Sequence, residues 1–387
     1  MANVSSSNGI EKQPKLRFPN FTEPYKLMEF SKYADVNPKC GKVPNSFYYI
    51  DLECVNAGEI KDLRIEMAEI APSRAQRLLT LYDILFQTVR PYQKNNYHFK
   101  VENDLPTVAS TGYAVFRTEQ SSEYLYELIH TERFLSDIMK RCTGTSFPAV
   151  SSSDIEDIAI WIPEFQEQKK IGDFLTLVDT KIAKQRLLIE HLKKYKRGVM
   201  NSYFNGKLVL KHSIGQHYSH WQEFTLSDVS DEFKSGKSIT SNEINEVGEY
   251  AVYGGNGVRG YTDHYSHEGQ YIVVGRQGAL CGNVRIIDGK NYLSEHAIAV
   301  KANSNHYTPF LLYLLTDMRL GQYSDQGAQP GLAVNKLLKL KRRFPEYDEQ
   351  VRFATFMQQI DHKLSSEENK LEYITTLKRG LLQQLFI

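Results

Sequence analysis

Pro163-Glu164-Phe165-Gln166-Glu167-Gln168 returns later in the chain as Pro345-Glu346-Tyr347-Asp348-Glu349-Gln350. At the same offset of 182, Phe174 matches Phe356, Asp179 matches Asp361, Lys181 matches Lys363 and Glu190 matches Glu372. Lys196-Arg197-Gly198 returns as Lys378-Arg379-Gly380, and Phe204 as Phe386. That makes 12 identities over the 42 ungapped columns from Pro163 to Phe204. Self-similarity at a fixed offset is the signature of a duplicated unit and sets the frame for everything else.

The apolar pattern repeats with it. Alternating steps of four and three place Ile171, Leu175, Val178, Ile182, Ile189, Leu192, Val199 and Tyr203 on one stripe. The same steps give Phe353, Met357, Ile360, Leu364, Leu371, Ile374, Leu381 and Leu385 in the second copy. A period of 3.5 over more than four heptads predicts a coiled-coil helix. Two stripe positions are polar in both copies, Gln185 with Glu367 and Lys196 with Lys378, as expected of residues that set register. Each helix would run about 40 residues, roughly 60 Å at 1.5 Å per residue. A lone helix with one apolar stripe is marginal in water, so the copies are expected to pack on each other. The long segment between them allows either orientation, and antiparallel pairing would carry the preceding domains to opposite ends. Two helices docked separately on their own domains is the plain alternative.

Outward from the helices, the preceding segments correspond more loosely. Gly112-Tyr113-Ala114-Val115-Phe116-Arg117 and then a helical stretch from Glu123 to about Arg141 match His296-Ala297-Ile298-Ala299-Val300-Lys301 and a helical stretch from Pro309 to about Leu320. Each continues through a glycine-containing loop, Thr143–Pro148 and Gln326–Gly331, to its long helix. The middles do not align. The second segment has the glycine-rich run Tyr253–Tyr261, then strand-like runs at Tyr271–Gly275 and Asn283–Gly289, with Asp288-Gly289 predicting a hairpin turn. The first has Asp83–Pro91 instead. This reads as one frame carrying two different inserts, a spacer with two unlike heads. The predicted fold class is α+β, with two globular α/β domains joined by two long helices in an antiparallel coiled coil.

The chain has 387 residues, enough for two or three domains. Hydrophobic residues at 41% and charged residues at 24% exclude a mainly disordered chain. With 47 Lys and Arg against 46 Asp and Glu, any basic surface must be local. Cys40, Cys54, Cys142 and Cys281 lie too far apart for a disulfide framework or a cysteine zinc site. Met1–Ile10 does not resemble a secretory signal, and no run approaches roughly 18 apolar residues, so the expected location is the cytoplasm without a membrane partner.

Enzyme motifs fail. Gly236-Lys237-Ser238 lacks the earlier glycine of a phosphate-binding loop, because Asp231 stands there. Asp51 with Glu59-Ile60-Lys61 has the shape of a metal-dependent nuclease triad, but three residues of this kind occur by chance in most chains, and the stretch reads as a surface loop. His264, His267 and His296 are irregularly spaced and predict polar loop residues. No catalytic residue, metal site or cofactor is expected in this chain.

On these residues the chain resembles the DNA-specificity (S) subunit of Type I restriction-modification enzymes. Arg17-Phe18-Pro19-Asn20-Phe21 is similar to the start of that family's first recognition domain, and Tyr48–Glu53 and Asp83–Phe86 to its core strands. Val252–Gly257 and Gly275–Ala279 are similar to a frequent form of the second, and Ile162–Gly198 with Pro345–Gly380 to its two helical regions. The resemblance implies an N-terminal tail at 1–16, recognition domains at 17–162 and 207–344, and coiled-coil helices at 163–206 and 345–387. It implies a non-catalytic subunit whose heads each read half of a split, asymmetric double-stranded DNA site, while the helices set the unread gap. It implies two copies of a modification subunit using S-adenosylmethionine, and restriction subunits using ATP and Mg²⁺.

Base reading is expected from loop Arg, Asn, Gln and Ser, and phosphate contact from Lys and Arg. The candidates are Arg74, Arg77, Arg90, Lys94 and Ser110 in the first head, and Asn256, Arg259, Arg276, Gln277 and His296 in the second. Within Lys336–Arg343, Lys339 and Lys341 are candidates for phosphates, or for a solvated strand edge. Gly254, Gly255 and Gly257 are expected to form turns. Two other classes remain: a two-headed protein adaptor without a DNA role, and a self-contained nuclease using Asp51, Glu59 and Lys61.

Overall fold

The structure, a computed structural model, describes residues 13–210, 221–278, 280–325 and 331–387. The expected tail at 1–16 falls mostly outside these, as do Ala279 and five of the six residues of the loop at Gln326–Gly331. The chain divides into two compact units. One holds the chain through Arg186 together with Lys370–Ile387, and the other holds Leu187–Asn369.

The first unit contains β1 (Lys26–Glu29), β2 (Asp35–Val36), β3 (Ser46–Ile50), β4 (Val55–Asn56), β5 (Glu59–Ile60), β6 (Arg64–Met67), β7 (Ala75–Leu78), β8 (Ile84–Gln87), β9 (Tyr97–His98), β10 (Thr107–Ser110), β11 (Tyr113–Arg117) and β12 (Ala159–Ile162). One sheet has the order β6-β3-β10-β7, with β3 and β10 parallel. The other, β2-β11-β8-β9, is antiparallel. The ribbon β1-β12 leads into the long helix α4 (Phe165–Phe204).

The expected helix from Glu123 to Arg141 is two helices, α1 (Ser122–Leu128) and α2 (Glu132–Arg141). The break lies at Thr131, whose hydroxyl accepts the Phe134 amide and so starts a new helix. Ser121 caps α1 and Ser151 caps α3 (Ser152–Glu156) in the same way.

The second unit contains β13 (Gln222–Thr225), β14 (Ser230–Ser235), β15 (Tyr250–Gly254), β16 (Gly257–Thr262), β17 (His267–Glu268), β18 (Tyr271–Gly275), β19 (Val284–Ile287), β20 (Lys290–Leu293), β21 (Ala297–Ala302) and β22 (Lys341–Phe344). Its sheets are β16-β15-β20-β17, with β15 and β20 parallel, and the antiparallel β14-β21-β18-β19. The ribbon β13-β22 leads into α7 (Tyr347–Leu385), after α5 (Thr308–Asp317) and α6 (Val334–Leu338).

The strand orders correct the expectation of two unlike inserts. Apart from the extra β4-β5 hairpin, the strands of the first unit recur in the second, in the same chain order and with the same neighbours. The duplication therefore covers the heads as well as the helices. Sequence comparison misses it because a sheet position requires only that an apolar side chain face the core; Ile84–Gln87 and Tyr271–Gly275 meet that with different residues. The Asp288-Gly289 turn is also corrected. Gly289 has φ 79°, as such a turn needs, but β19 and β20 belong to different sheets, so the turn joins sheets and makes no hairpin. The glycine-rich run does form one, β15 pairing with β16 around Gly255 and Asn256.

Within each unit the helix halves run antiparallel. In the first, Asp179 meets Lys378, and Ile171 and Leu175 share a core cluster with Leu385 and Phe386. In the second, Tyr203 stacks on Phe353 at 3.8 Å between ring centroids, Lys196 pairs with Asp361, and Lys193 pairs with Glu368 at 2.6 Å. The first head joins the same cluster through Phe30, Phe86, Phe116 and Tyr124, so its helix halves pack on each other and on the head. Ile171, Leu175, Ile182, Ile189, Tyr203, Phe353, Met357, Ile360, Leu364, Ile374 and Leu385 are buried. Val178, Leu192, Val199, Leu371 and Leu381 are half-buried.

The repeated Pro-Glu-x-x-Glu-Gln run now has a physical meaning. The Gln168 amide donates to the Pro163 carbonyl at 2.9 Å, and Gln350 donates to Pro345 at 2.9 Å, so each closes the start of its own long helix. The preceding carboxylate is buried in both copies. Glu167 takes two hydrogen bonds from the Arg17 guanidinium, at 2.8 and 2.7 Å, while Glu349 takes one from the Tyr203 hydroxyl at 2.9 Å.

Candidate nucleic-acid interface

The loops that follow β3, β8 and β10 meet on one rim of the first head. Thr111 N donates to Arg74 O at 2.8 Å, and Thr88 N donates to Gly112 O at 3.0 Å. A Cβ on Gly112 would lie 2.9 Å from the Leu52 side chain, which brings in the loop after β3. Arg90 N donates to Pro148 O at 2.7 Å and Val89 bridges Ala149, which adds the loop before α3. Arg74, Arg90 and Ser110 thus share this rim. Arg77 lies within β7, opposite Ala109.

The second head repeats the rim by the same contacts. Arg276 N donates to His296 O at 3.0 Å, the counterpart of the bond from Thr88 to Gly112. Gln277 bridges Gly331 as Val89 bridges Ala149. Three chain crossings leave no room for side chains. A Cβ on Gly255 would lie 2.8 Å from Gln277 O, one on Gly275 2.3 Å from Gly255 O, and one on Gly236 2.2 Å from Leu293 O. Glycine is required here by close backbone approach.

On this rim His296 Nδ1 is 2.7 Å from Gln277 Oε1, its Nε2 is 3.2 Å from Glu295 Oε1, and Arg276 donates to Glu295 O at 3.3 Å. Arg259 lies against Gly254 and Arg285 against Gly257. All five candidates of the second head, Asn256, Arg259, Arg276, Gln277 and His296, therefore come together, though they span 41 positions of sequence. Sequence reasoning missed Arg285, which sits in a strand, and Phe147, whose ring is 62% exposed beside Arg90. A lone aromatic in the otherwise small and polar loop Thr143–Pro148 was the available signal for Phe147.

Other candidates are already engaged. Lys94 pairs with Glu132 at 2.8 Å, and Lys341 with Glu223 at 3.1 Å on the ribbon β13-β22. Lys339 is exposed at the end of α6. Asp51, proposed for a nuclease triad, accepts the Glu53 and Cys54 amides and pairs with Arg64 at 2.9 Å, so it shapes a turn. These contacts hold its carboxyl below the usual range against the opposing effect of partial burial. His267 is buried against Glu232 at 3.1 Å, and burial lowers its pKa despite that partner; His264 contacts Asp263. The three histidines of this segment have separate partners, and no group of three metal-ligating side chains occurs among the described residues.

A second site joins each head to its helix halves. In the first unit Lys378 lies 2.6 Å from Asp179 and 2.9 Å from Glu127 of α1. In the second, Lys196 pairs with Asp361, which accepts the Tyr313 hydroxyl of α5 at 2.8 Å. The Lys-Asp pair is common to both, and the head contributes a carboxyl in one and a phenol in the other. Burial pushes Glu127 up to about 8 against the pull of Lys378, and Lys378 is raised by its two carboxylate neighbours despite its own burial.

Comparisons with known proteins agree with this layout. The profile of the Type I restriction modification DNA specificity domain matches residues 82–194 and 218–376. The Type I restriction enzyme EcoprrI specificity subunit of Escherichia coli is 43% identical over 107 residues, 28% of this chain and 27% of that protein. The Type I restriction enzyme MjaVIII specificity subunit of Methanocaldococcus jannaschii is 26% identical over 193 residues, 48% of this chain and 43% of that protein. The chain thus spans less than half the length of the curated relatives it matches. The crystal structure of the Type-I restriction-modification system S subunit from M. genitalium superposes with a TM-score of 0.66 at 19% identity, covering 97% of this chain and 99% of that one, and so shares the fold. The profile match takes in the first head from residue 82 onward, the second head and most of both helices, more than half of the chain, and on that ground the chain belongs to the family of the Type I restriction modification DNA specificity domain.

Proposed function

We propose that the chain is the DNA-specificity subunit of a Type I restriction-modification complex. The observation that carries this reading is the duplicated rim. Two heads of one topology present loops at equivalent positions, and the side chains there differ, with Thr88, Arg90 and Gly112 in one head where Arg276, Gly278 and His296 stand in the other. Equal scaffolds with unlike loops suit a protein that reads two different half-sites on one duplex.

In this reading residues 17–162 and 207–344 are the recognition domains. Arg74, Arg90, Asn256, Arg259, Arg276, Gln277 and His296 face base edges or nearby phosphates, and Lys339 takes a phosphate. Ser110, a candidate from the sequence, is corrected: it is buried and its hydroxyl accepts the Gly112 amide at 3.2 Å, so it shapes the loop instead of facing DNA. Lys94 and Lys341 would have to leave their carboxylates to do so. The helices α4 and α7 set the gap between half-sites and dock two copies of a modification subunit, which brings S-adenosylmethionine. Restriction subunits would bring ATP and Mg²⁺. No helix among the described residues is long and apolar enough to cross a membrane, in keeping with a proposed place beside the chromosome in the cytoplasm. The formal charge of +1 leaves phosphate attraction to the rim arginines and to the partner subunits.

The test is to map methylated adenines in the genome of a host carrying the chain and of the same host lacking it. One bipartite motif that disappears with the chain is the expected result. Unchanged methylation would refute the proposal.

A further inference from the structure

Arg90 stands where the second head has glycine. In the paired strands Gln87 lies opposite Tyr113, and Gly275 lies opposite Ala297. Three residues further on are Arg90 and Gly278, and the bridges of Val89 to Ala149 and of Gln277 to Gly331 keep the two loops in step. Both residues have a left-handed backbone, with φ 56° at Arg90 and φ 87° at Gly278. This turn of the shared scaffold favours glycine, because a Cβ crowds its own backbone there. The first head keeps a large side chain in that conformation.

Packing does not account for the arginine. Among the described residues its guanidinium has neither a hydrogen bond nor an ion pair, and its Nε is covered without a partner. Its one marked contact is with Phe147, whose ring centroid lies 4.3 Å from Cζ. Phe147 is itself exposed, on a loop tied at its base by the bridge of Thr143 to Ala149. With the ring against Cζ and Nε covered, the terminal N–H groups of the guanidinium are the donors left to take a partner. Such a side chain is already oriented for a planar, two-acceptor partner. In the major groove the base edge of that kind is guanine, through O6 and N7.

We propose that Arg90, braced on Phe147, reads a guanine in one half-site, and that the strained backbone at Arg90 persists for that contact. This rests on the reading of the chain as a DNA-specificity subunit and adds a residue, a base and a side to it. The second head has only Gly278 at this position, so its half-site lacks the contact.

The full chain, assembled with the methyltransferase subunit it is proposed to bind, would be compared with Arg90→Gly, Arg90→Lys and Phe147→Ala by selecting methylated or bound duplexes from a random pool. Melting temperatures would be read alongside. Arg90→Gly is expected to melt no lower than the parent, since glycine suits the turn. It should lose roughly tenfold or more discrimination at one guanine of one half-site, leaving the other half-site unchanged. Arg90→Lys keeps the charge without the planar fork and should show the same loss, and Phe147→Ala a smaller loss at the same base.

Full discrimination in Arg90→Lys would mean a phosphate contact and would overturn the proposal. So would unchanged specificity in Arg90→Gly, or equal weakening of both half-sites. Should Arg90→Gly fail to fold, the lysine and Phe147 variants still decide the matter. A parent complex that selects no bipartite site would instead bring down the functional reading beneath it, a result distinct from any of these.

Discussion

Lys378 reaches across the helix pair to Asp179 at 2.6 Å, and the residues 182 positions earlier and later, Lys196 and Asp361, make the same pair in the other unit. The two pairs differ in burial and in their third member. Lys378 is 16% exposed and also touches the buried Glu127, whereas Lys196 is 23% exposed and its aspartate carries a tyrosine hydroxyl.

Replacing Lys378 by Met should therefore cost the first unit about 3 kcal/mol, because Asp179 loses a largely buried counter-ion and the buried Glu127 carboxyl loses its hydrogen-bond donor. The same change at Lys196 should cost about 1 kcal/mol, as for a more exposed pair. Denaturant unfolding gives the magnitudes, and hydrogen exchange in α1 gives the location. Equal costs would show that Glu127 adds nothing to the first junction.

Glu127 makes the first unit sensitive to alkali. Its folded-state pKa of about 8 lies above the ordinary value of 4.5, so between these the folded state holds a proton that the unfolded state has lost. Stability from this group falls as pH rises through that window and levels off above about 8. Glu127→Gln, which imitates the protonated form, should match the parent near pH 5 and exceed it near pH 8.5. A parallel pair of pH-stability curves would contradict this.

The opposite slope operates in acid. Burial lowers His98 to about 3 and His130 to about 4, from an ordinary 6.5. Both rings are held neutral in the fold and take up protons when it opens, so their contribution is lost as pH falls from about 6.5. His98→Gln should weaken the dependence below pH 6.5 and leave that above pH 7 unaltered, as read from melting temperatures across the range.

Gly275→Ala should damage the second rim selectively. The new Cβ would fall 2.3 Å from Gly255 O, and backbone there cannot give way without moving Arg276 and Gln277. Overpacking of this kind costs about 1–3 kcal/mol. The expected outcome is a loss of discrimination in one half-site with the other retained, measured by selection from a random duplex pool.

Shortening both long helices tests their proposed role in spacing. Removing residues 183–189 and 365–371 together keeps the Asp179-Lys378 and Lys196-Asp361 pairs on either side of the cut. Seven residues of helix are about 10 Å, and so about 3 base pairs of duplex. A methylated motif with the same half-sites and a shorter gap is expected; an unchanged gap would show that spacing is set elsewhere.

The helix pair was legible in the residues alone, because a heptad stripe of that length needs an apolar partner and the chain carries two of them; which residues the polar breaks meet, Lys378 with Asp179 and Lys196 with Asp361, took the fold. Pro163–Gln168 and its copy announced the duplication without revealing what the motif does. That took the fold, which joins Gln168 to Pro163, and Glu167 to an arginine 150 positions away. The heads were the reverse case. Their common strand order is invisible in the chain, since period-two burial accepts many apolar residues and leaves neighbours in a sheet unspecified. The rim belongs to the tertiary structure for the same reason: Asn256, Arg276 and His296 meet only because Gly255 and Gly275 let separate strands cross at backbone distance. Local periodicity is written in successive residues, whereas a loop cluster is written in the strand pairings, which no short stretch of sequence contains.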